Sequence, residues 1–141
     1  MSVAELVFID TNILVYAHDR SETIKCPLAR QVVLDAVRAG NAVISAQVLG
    51  EFFTTVTRKI AEPLSLLAAR HELTLLARLR VIPLDSTLIL RAIDMMSLHQ
   101  TSYWDALILS AAELAGVKTL LSEDFNAGQN YGGIRAVNPF A

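Results

Sequence analysis

Short apolar runs alternate with longer stretches of helical spacing along the whole chain. The run from Val3 to Ile9 is short and β-branched, the pattern of a strand buried on both faces, as in a parallel sheet. It drives straight into Asp10-Thr11-Asn12, after which apolar positions resume. This predicts the first turns of a helix over Ile13 to His18, capped from Asp10, Thr11 or Asn12. From Ile24 to Ala39, Leu28, Val32, Val33, Ala36 and Val37 fall at helical spacing, and Gly40-Asn41 closes the helix with C-cap chemistry. Ala42-Val43-Ile44 reads as a second strand. Ser45 then opens a helix from Ala46 to Ile60, with an apolar stripe at Val48, Leu49, Phe52, Phe53 and Val56. Pro63 suits the start of a helix over Leu64 to Leu79. A third strand, Val81 to Leu84, is expected to be short or at an edge because of Pro83.

Asp85-Ser86 caps a helix from Thr87 to Leu98. After a polar break, Tyr103 to Ala115 is apolar nearly all round, which predicts a deeply packed helix ending at Gly116. Lys118 to Leu121 is a fourth strand, Ser122 to Gly133 a polar loop, and Ile134 to Val137 a fifth strand. No repeat, low-complexity segment or linker interrupts this. The pattern predicts an α/β fold: one domain over residues 1–141 with a central, mainly parallel five-stranded sheet flanked by helices.

Composition narrows the function less than the fold. Just over half of the 141 residues are apolar and only 18% are charged, a globular balance without a disordered tail. A mean hydropathy of +0.44 is high and predicts either helices apolar on more than one side or apolar surface given to a partner. A formal net charge of -2 makes no case for nucleic acid by itself. Nine of the twelve basic residues are arginine, the better side chain for phosphate forks. The single Cys26 excludes an internal disulfide and is expected to pack as an ordinary thiol. No leader and no run of eighteen apolar residues is seen, so a cytoplasmic protein without a membrane span is the expectation.

Four of the fourteen acids stand in apolar company or at strand ends. Asp10 follows Val7-Phe8-Ile9, at the carboxyl end of a central strand, the edge where open α/β sheets bind ligands. Glu51 lies within Val48 to Phe53, with no basic residue three or four places on. Asp105 follows Tyr103-Trp104, and Asp124 comes three residues after Leu121. Each also has a plain structural reading: Asp10 as a helix cap, Glu51 as a solvated helix residue, Asp105 as half of a Ser102-Asp105 capping box, Asp124 as a turn residue. Carboxylates that converge repel one another and stay ionised only around a cation. Mg²⁺ or Mn²⁺ fits, since no His or Cys cluster favours zinc. An all-acid metal site on an α/β scaffold points to phosphoester hydrolysis. His18, His71 and His99 are scattered and read as ordinary surface or loop residues. Tyr103 and Trp104 read as core or interface packing before base stacking.

Four segments together, Phe8-Ile9-Asp10-Thr11-Asn12-Ile13-Leu14, Ser45-Ala46-Gln47-Val48-Leu49-Gly50-Glu51-Phe52, Trp104-Asp105-Ala106-Leu107-Ile108 and Leu120-Leu121-Ser122-Glu123-Asp124, resemble the PIN-domain nucleases. The closest likeness is to VapC-type toxins of bacterial toxin–antitoxin pairs, and it runs from about Val3 to Phe140. The resemblance implies a Mg²⁺- or Mn²⁺-dependent endoribonuclease with Asp10, Glu51, Asp105 and Asp124 as catalytic metal ligands. By that analogy Asp10 and Asp105 hold the metal most directly, while Glu51 and Asp124 complete the shell and help position or deprotonate the attacking water. Asn12 and Ser122 would orient the site by hydrogen bonds, and Glu123 would point away from it. RNA substrate, a cognate antitoxin and a homodimer are the implied partners. The alternatives are a catalytically silent PIN-fold module that binds RNA or protein, and a small-molecule phosphatase. The phosphatase is disfavoured because Asp10 is followed by Thr11 and Asn12, with no second Asp two residues on.

Overall fold

A computed structural model of the chain describes residues 5–141. Its elements in chain order are β1 (Val7–Ile9), α1 (Thr11–Tyr16), α2 (Lys25–Ala39), β2 (Ala42–Ser45), α3 (Ala46–Val56), α4 (Leu66–Leu76), β3 (Arg80–Ile82), α5 (Ser86–His99), α6 (Tyr103–Ala115), β4 (Thr119–Leu121), β5 (Asn130–Tyr131) and β6 (Ile134–Val137). The sheet runs β3-β2-β1-β4-β6-β5, parallel throughout except for the β5–β6 hairpin. The strand expected first in sequence thus lies in the middle of the sheet. Chain order departs from it to β2 and β3 on one side and to β4 and β6 on the other. Such a reversal, at the carboxyl ends of β1 and β4, is where open α/β sheets form the crevice that binds ligands.

The core follows from the predicted stripes. Phe8, Ile9, Val43, Ile44 and Leu120 are fully buried in the strands, and Val48, Phe52 and Val56 form the inner face of α3. The helix expected to be deeply packed, α6, buries every residue from Ala106 to Ala112. It packs along α5 and across β2, β3 and β6, while α1, α2, α3 and α4 pack against one another. Cys26 is buried in α2. No helix among the described residues is long and apolar enough to cross a membrane.

Four expectations need correcting. The sheet has six strands, because Asn130-Tyr131, placed in the polar loop, pairs with Ile134 and Arg135 around Gly132-Gly133. Both glycines have positive φ, +63° and +97°, which a two-residue hairpin turn of this kind demands. β1 begins at Val7: the Asn41 side chain donates to Glu5 O at 2.6 Å, where a strand ladder would otherwise continue. Val3 and Ala4 lie outside the described residues. α4 begins at Leu66 because Ser65, not Pro63, is its cap, accepting from the Ala68 amide. α3 stops at Val56, where the Thr57 hydroxyl returns to the Phe53 carbonyl at 2.7 Å. β3 is short and lies at the sheet edge, as predicted, but it starts at Arg80 and ends before Pro83 instead of running to Leu84.

Candidate active site

The parallel register sets Ile9 opposite Leu121, so the next residues on the two strands, Asp10 and Ser122, emerge side by side. The Asp10 amide donates to Leu121 O at 3.0 Å, holding the two strand ends together. Asp10 is also the N-cap of α1: its Oδ1 accepts from the Thr11 amide at 2.8 Å. Its Oδ2 accepts from the Ser122 hydroxyl at 2.8 Å. The cap reading therefore holds for Asp10, and its second oxygen is held by Ser122 at the strand ends.

Ser122 is wholly buried and is the hub of the site. Its Oγ also accepts from the Asp124 amide at 3.1 Å and from Asn12 Nδ2 at 3.3 Å. The same Asn12 amide nitrogen donates to Asp124 Oδ2 at 3.0 Å, and Asn12 Oδ1 accepts from the Glu123 amide at 3.2 Å. Asn12 thus clamps the β4–β5 loop to α1. Glu51 is exposed on α3, yet Thr11 Oγ1 donates to its Oε1 at 2.9 Å, which ties the second turn of α3 to the first of α1. Asp105 sits in the first turn of α6, where Ser102 Oγ accepts from its amide at 3.1 Å, the serine half of the expected capping box.

Electrostatics join these carboxylates. Asp10 is only 6% exposed, and burial pushes its carboxyl up to about 6. The Ser122 and Thr11 hydrogen bonds oppose that rise, while the charges of Asp124 and Glu51 add to it. Asp105 is raised as well, by burial first and then by the Asp124 charge, against its bond with Ser102. All four predicted acids consequently belong to one electrostatic neighbourhood. Among the described residues, however, no three acidic, His or Cys side chains stand close enough to clasp one ion as they are placed. The donor chemistry still fits a hard divalent cation. It is all oxygen, and among the described residues the buried Asp10 has no Lys or Arg in contact to balance it.

Glu123 does turn away, as expected. It pairs with Lys25. Burial works against its ionisation, but hydrogen bonds from Lys25 and Tyr16 and the Lys25 charge outweigh it and hold the carboxyl below the usual value. Lys25 Nζ lies 4.8 Å from the Tyr16 ring centre and 5.5 Å from that of Phe140, so the C-terminal segment is pinned beside the same loop. Sequence reasoning missed Lys25 entirely, because 98 residues separate it from Glu123. Thr11, read only as a candidate helix cap, instead holds Glu51 through its hydroxyl.

The histidines and Trp104 depart from the ordinary readings in part. His18 bridges Leu14 O and Glu72 Oε2, linking α1 to α4. His99 packs edge-on to Tyr131, with a buried Nε2 that makes no hydrogen bond. Trp104 is 61% exposed and so is not core.

The PIN-domain family profile matches residues 7–131, spanning β1, the crevice and all four acids. The chain belongs to the PIN-domain family. This is a nuclease family, which places the present PIN domain among the hydrolases. No curated protein gives a significant match. Solved structures similar to this PIN domain include VapC20 of Mycobacterium tuberculosis, described as a toxin that cleaves the sarcin–ricin loop. It has 20% identity and a TM-score of 0.67, with 92% of this chain and 98% of that one covered. A toxin–antitoxin complex from Klebsiella pneumoniae has 19% identity and a TM-score of 0.69, covering 94% and 97%. VapBC2 of Rickettsia felis, bound to a fragment of its promoter DNA, has 19% identity and a TM-score of 0.64, covering 93% and 96%.

Proposed function

We propose that this PIN domain is a Mg²⁺- or Mn²⁺-dependent endoribonuclease, the toxin of a toxin–antitoxin pair. The observation that carries the reading is Asp10: a buried carboxylate, pushed up to about 6, at the sheet's switch point, with other acids adding to its strain and no cation beside it. Asp10 and Asp105 would hold the ion most directly, with Glu51 and Asp124 completing the shell. Glu51 and Asp124 are exposed, each held through one oxygen, by Thr11 and Asn12, which leaves the other oxygen of each for an ion. A bound ion polarises the scissile phosphate and acidifies a water molecule.

The protein's own part is orientation. Ser122 and the Thr11 amide fix both oxygens of Asp10, and Asn12 holds Asp124 from the opposite strand end. Thr11 occupies Glu51 Oε1, leaving Oε2 to accept a proton from the attacking water.

A separate cleft of about 780 Å³ lies between the end of α1, α2 and α4, with Val33, Leu34, Val37, Ile60 and Leu64 in its lining. Such a surface suits an apolar segment of an antitoxin, the partner class that accompanies the similar structures. The homodimer part of the reading rests on large apolar side chains left exposed, Leu90 and Ile93 on α5 among them at 64% and 53%.

The test compares cleavage of single-stranded RNA with and without Mg²⁺, for wild type and Asp10→Asn. Metal-dependent cleavage lost in the variant is expected. Equal cleavage by both sinks the site assignment. A folded wild type that binds RNA but never cuts it with metal present would establish the silent binding module, which the spread of the four carboxylates also fits.

A further inference from the structure

Beside the crevice lies a second, smaller pocket of about 300 Å³, and it opens directly on Asp105 and Asp124. Its size is at the lower end of small-molecule sites, room for one flat ring system with its sugar but not for a duplex. Buried aromatic side chains form its floor: Phe125 and Tyr131 meet edge to face with ring centres 5.5 Å apart. Amides form its rim. Asn126 Nδ2 donates to Gln129 Oε1 at 2.8 Å, and the Gln129 amide donates to Asn126 O at 3.0 Å, which closes the loop on itself.

This pairing has a chemical consequence. It uses one donor of Asn126 and one acceptor site of Gln129, and among the described residues it leaves Asn126 Oδ1, an acceptor, and Gln129 Nε2, a donor, without partners on two exposed residues of the lining. A free acceptor and a free donor on one lining, with aromatic rings in the same pocket, match the mix of ring nitrogens, carbonyls and N–H groups along a nucleobase edge. The far wall is set by the α5–α6 connection, where Gln100 takes a left-handed φ of 51° and carries its side chain into the lining. None of Asn126, Gln129 or Gln100 has a role in holding the four carboxylates.

We propose that this pocket seats the base of the nucleotide next to the scissile phosphate, and that Asn126 and Gln129 set the base preference of cleavage. The proposal rests on the nuclease reading and adds a substrate class to it. A base can enter such a pocket only when unpaired and splayed from its neighbours, so the substrate is a single-stranded or loop segment, not a helix.

The experiment sequences the cleavage products of a randomised single-stranded RNA pool with Mg²⁺, for wild type and the Asn126→Ala/Gln129→Ala double variant. The expected result is a wild-type preference for one base at one position beside the cut. That preference falls about tenfold in the variant, with preferences at other positions retained. A folded variant with the wild-type profile, or a wild type with no preference beside the cut, overturns the proposal. In parallel, adenosine, cytidine, guanosine and uridine are titrated into both proteins without metal and followed by NMR. One nucleoside should shift the Asn126 and Gln129 side-chain amides of wild type more than the others do. If wild type cuts no RNA, the nuclease reading fails and this titration decides alone: base-selective shifts at those amides support the pocket, and their absence overturns it.

Discussion

Replacing Asp10 with Asn should stabilise the metal-free protein and remove its response to metal. Burial raises the Asp10 carboxyl from 3.8 to about 6 in the folded chain, a gap of about two pKa units. At 1.36 kcal/mol per unit, ionised Asp10 costs the native state about 3 kcal/mol. The sign follows from a raised acid. The associated stability is fully present below about pH 3.8 and is lost as pH rises through about 6. Asn stays neutral at every pH, so it escapes that loss.

Asn also exacts a penalty. Asp10 accepts two hydrogen bonds, from the Thr11 amide and the Ser122 hydroxyl, whereas Asn offers one acceptor and one donor there. One mismatched bond costs about 1 kcal/mol. The net gain at pH 8 in EDTA is about 2 kcal/mol, or roughly 5–8 °C in Tm for a chain of this length. The gain should shrink steadily from pH 7 to pH 4. With metal at a hundred times its Kd, wild type gains about 2.7 kcal/mol and the variant almost nothing, so the order of stabilities reverses. Thermal melts of both proteins at pH 4.5 and 8, in EDTA and in Mg²⁺, give every quantity needed. A variant that melts below wild type in EDTA at pH 8, or a difference that does not change with pH, refutes the reasoning.

Two further predictions concern the groups around that carboxylate. Ser122→Ala removes the buried hydroxyl that donates to Asp10 and accepts from Asn12 and the Asp124 amide, so it should cost about 1–3 kcal/mol in urea unfolding; a loss under 0.5 kcal/mol would show that Ser122 is no hub. Lys25→Met should move the Glu123 carboxyl upward, because the present value is held down by the Lys25 and Tyr16 bonds against burial; carbon-detected NMR titration reads this directly, and an unmoved midpoint contradicts the pairing.

The legible part of this site was Asp10. A carboxylate set directly after a β-branched apolar run announces a strand end, and the strand is where the pattern put it, if shorter. Glu51 stood out because its apolar neighbours are real: Val48 and Phe52 are buried, while Glu51 itself faces out toward Thr11. What no pattern could give was register. That Ile9 lies opposite Leu121, and hence that Asp10 meets Ser122, depends on strand pairing across more than a hundred residues. The β5 strand escaped for a different reason. Two residues carry no alternation, and only Gly132-Gly133 hinted at a hairpin. Asn126 and Gln129 looked like any loop amides, since their joint geometry exists only once the turn has closed.

The strand at the middle of the sheet is made first and its neighbour β4 almost last. A ribosome therefore releases most of these residues while Asp10 has only the Thr11 amide to hold it, and a product broken off ahead of Ser122 lacks the hydroxyl that aims it. Synthesis order thus leaves the buried carboxylate half-held until residue 122 has emerged, and a chain stopped short of it presents an Asp10 fixed at one oxygen instead of two.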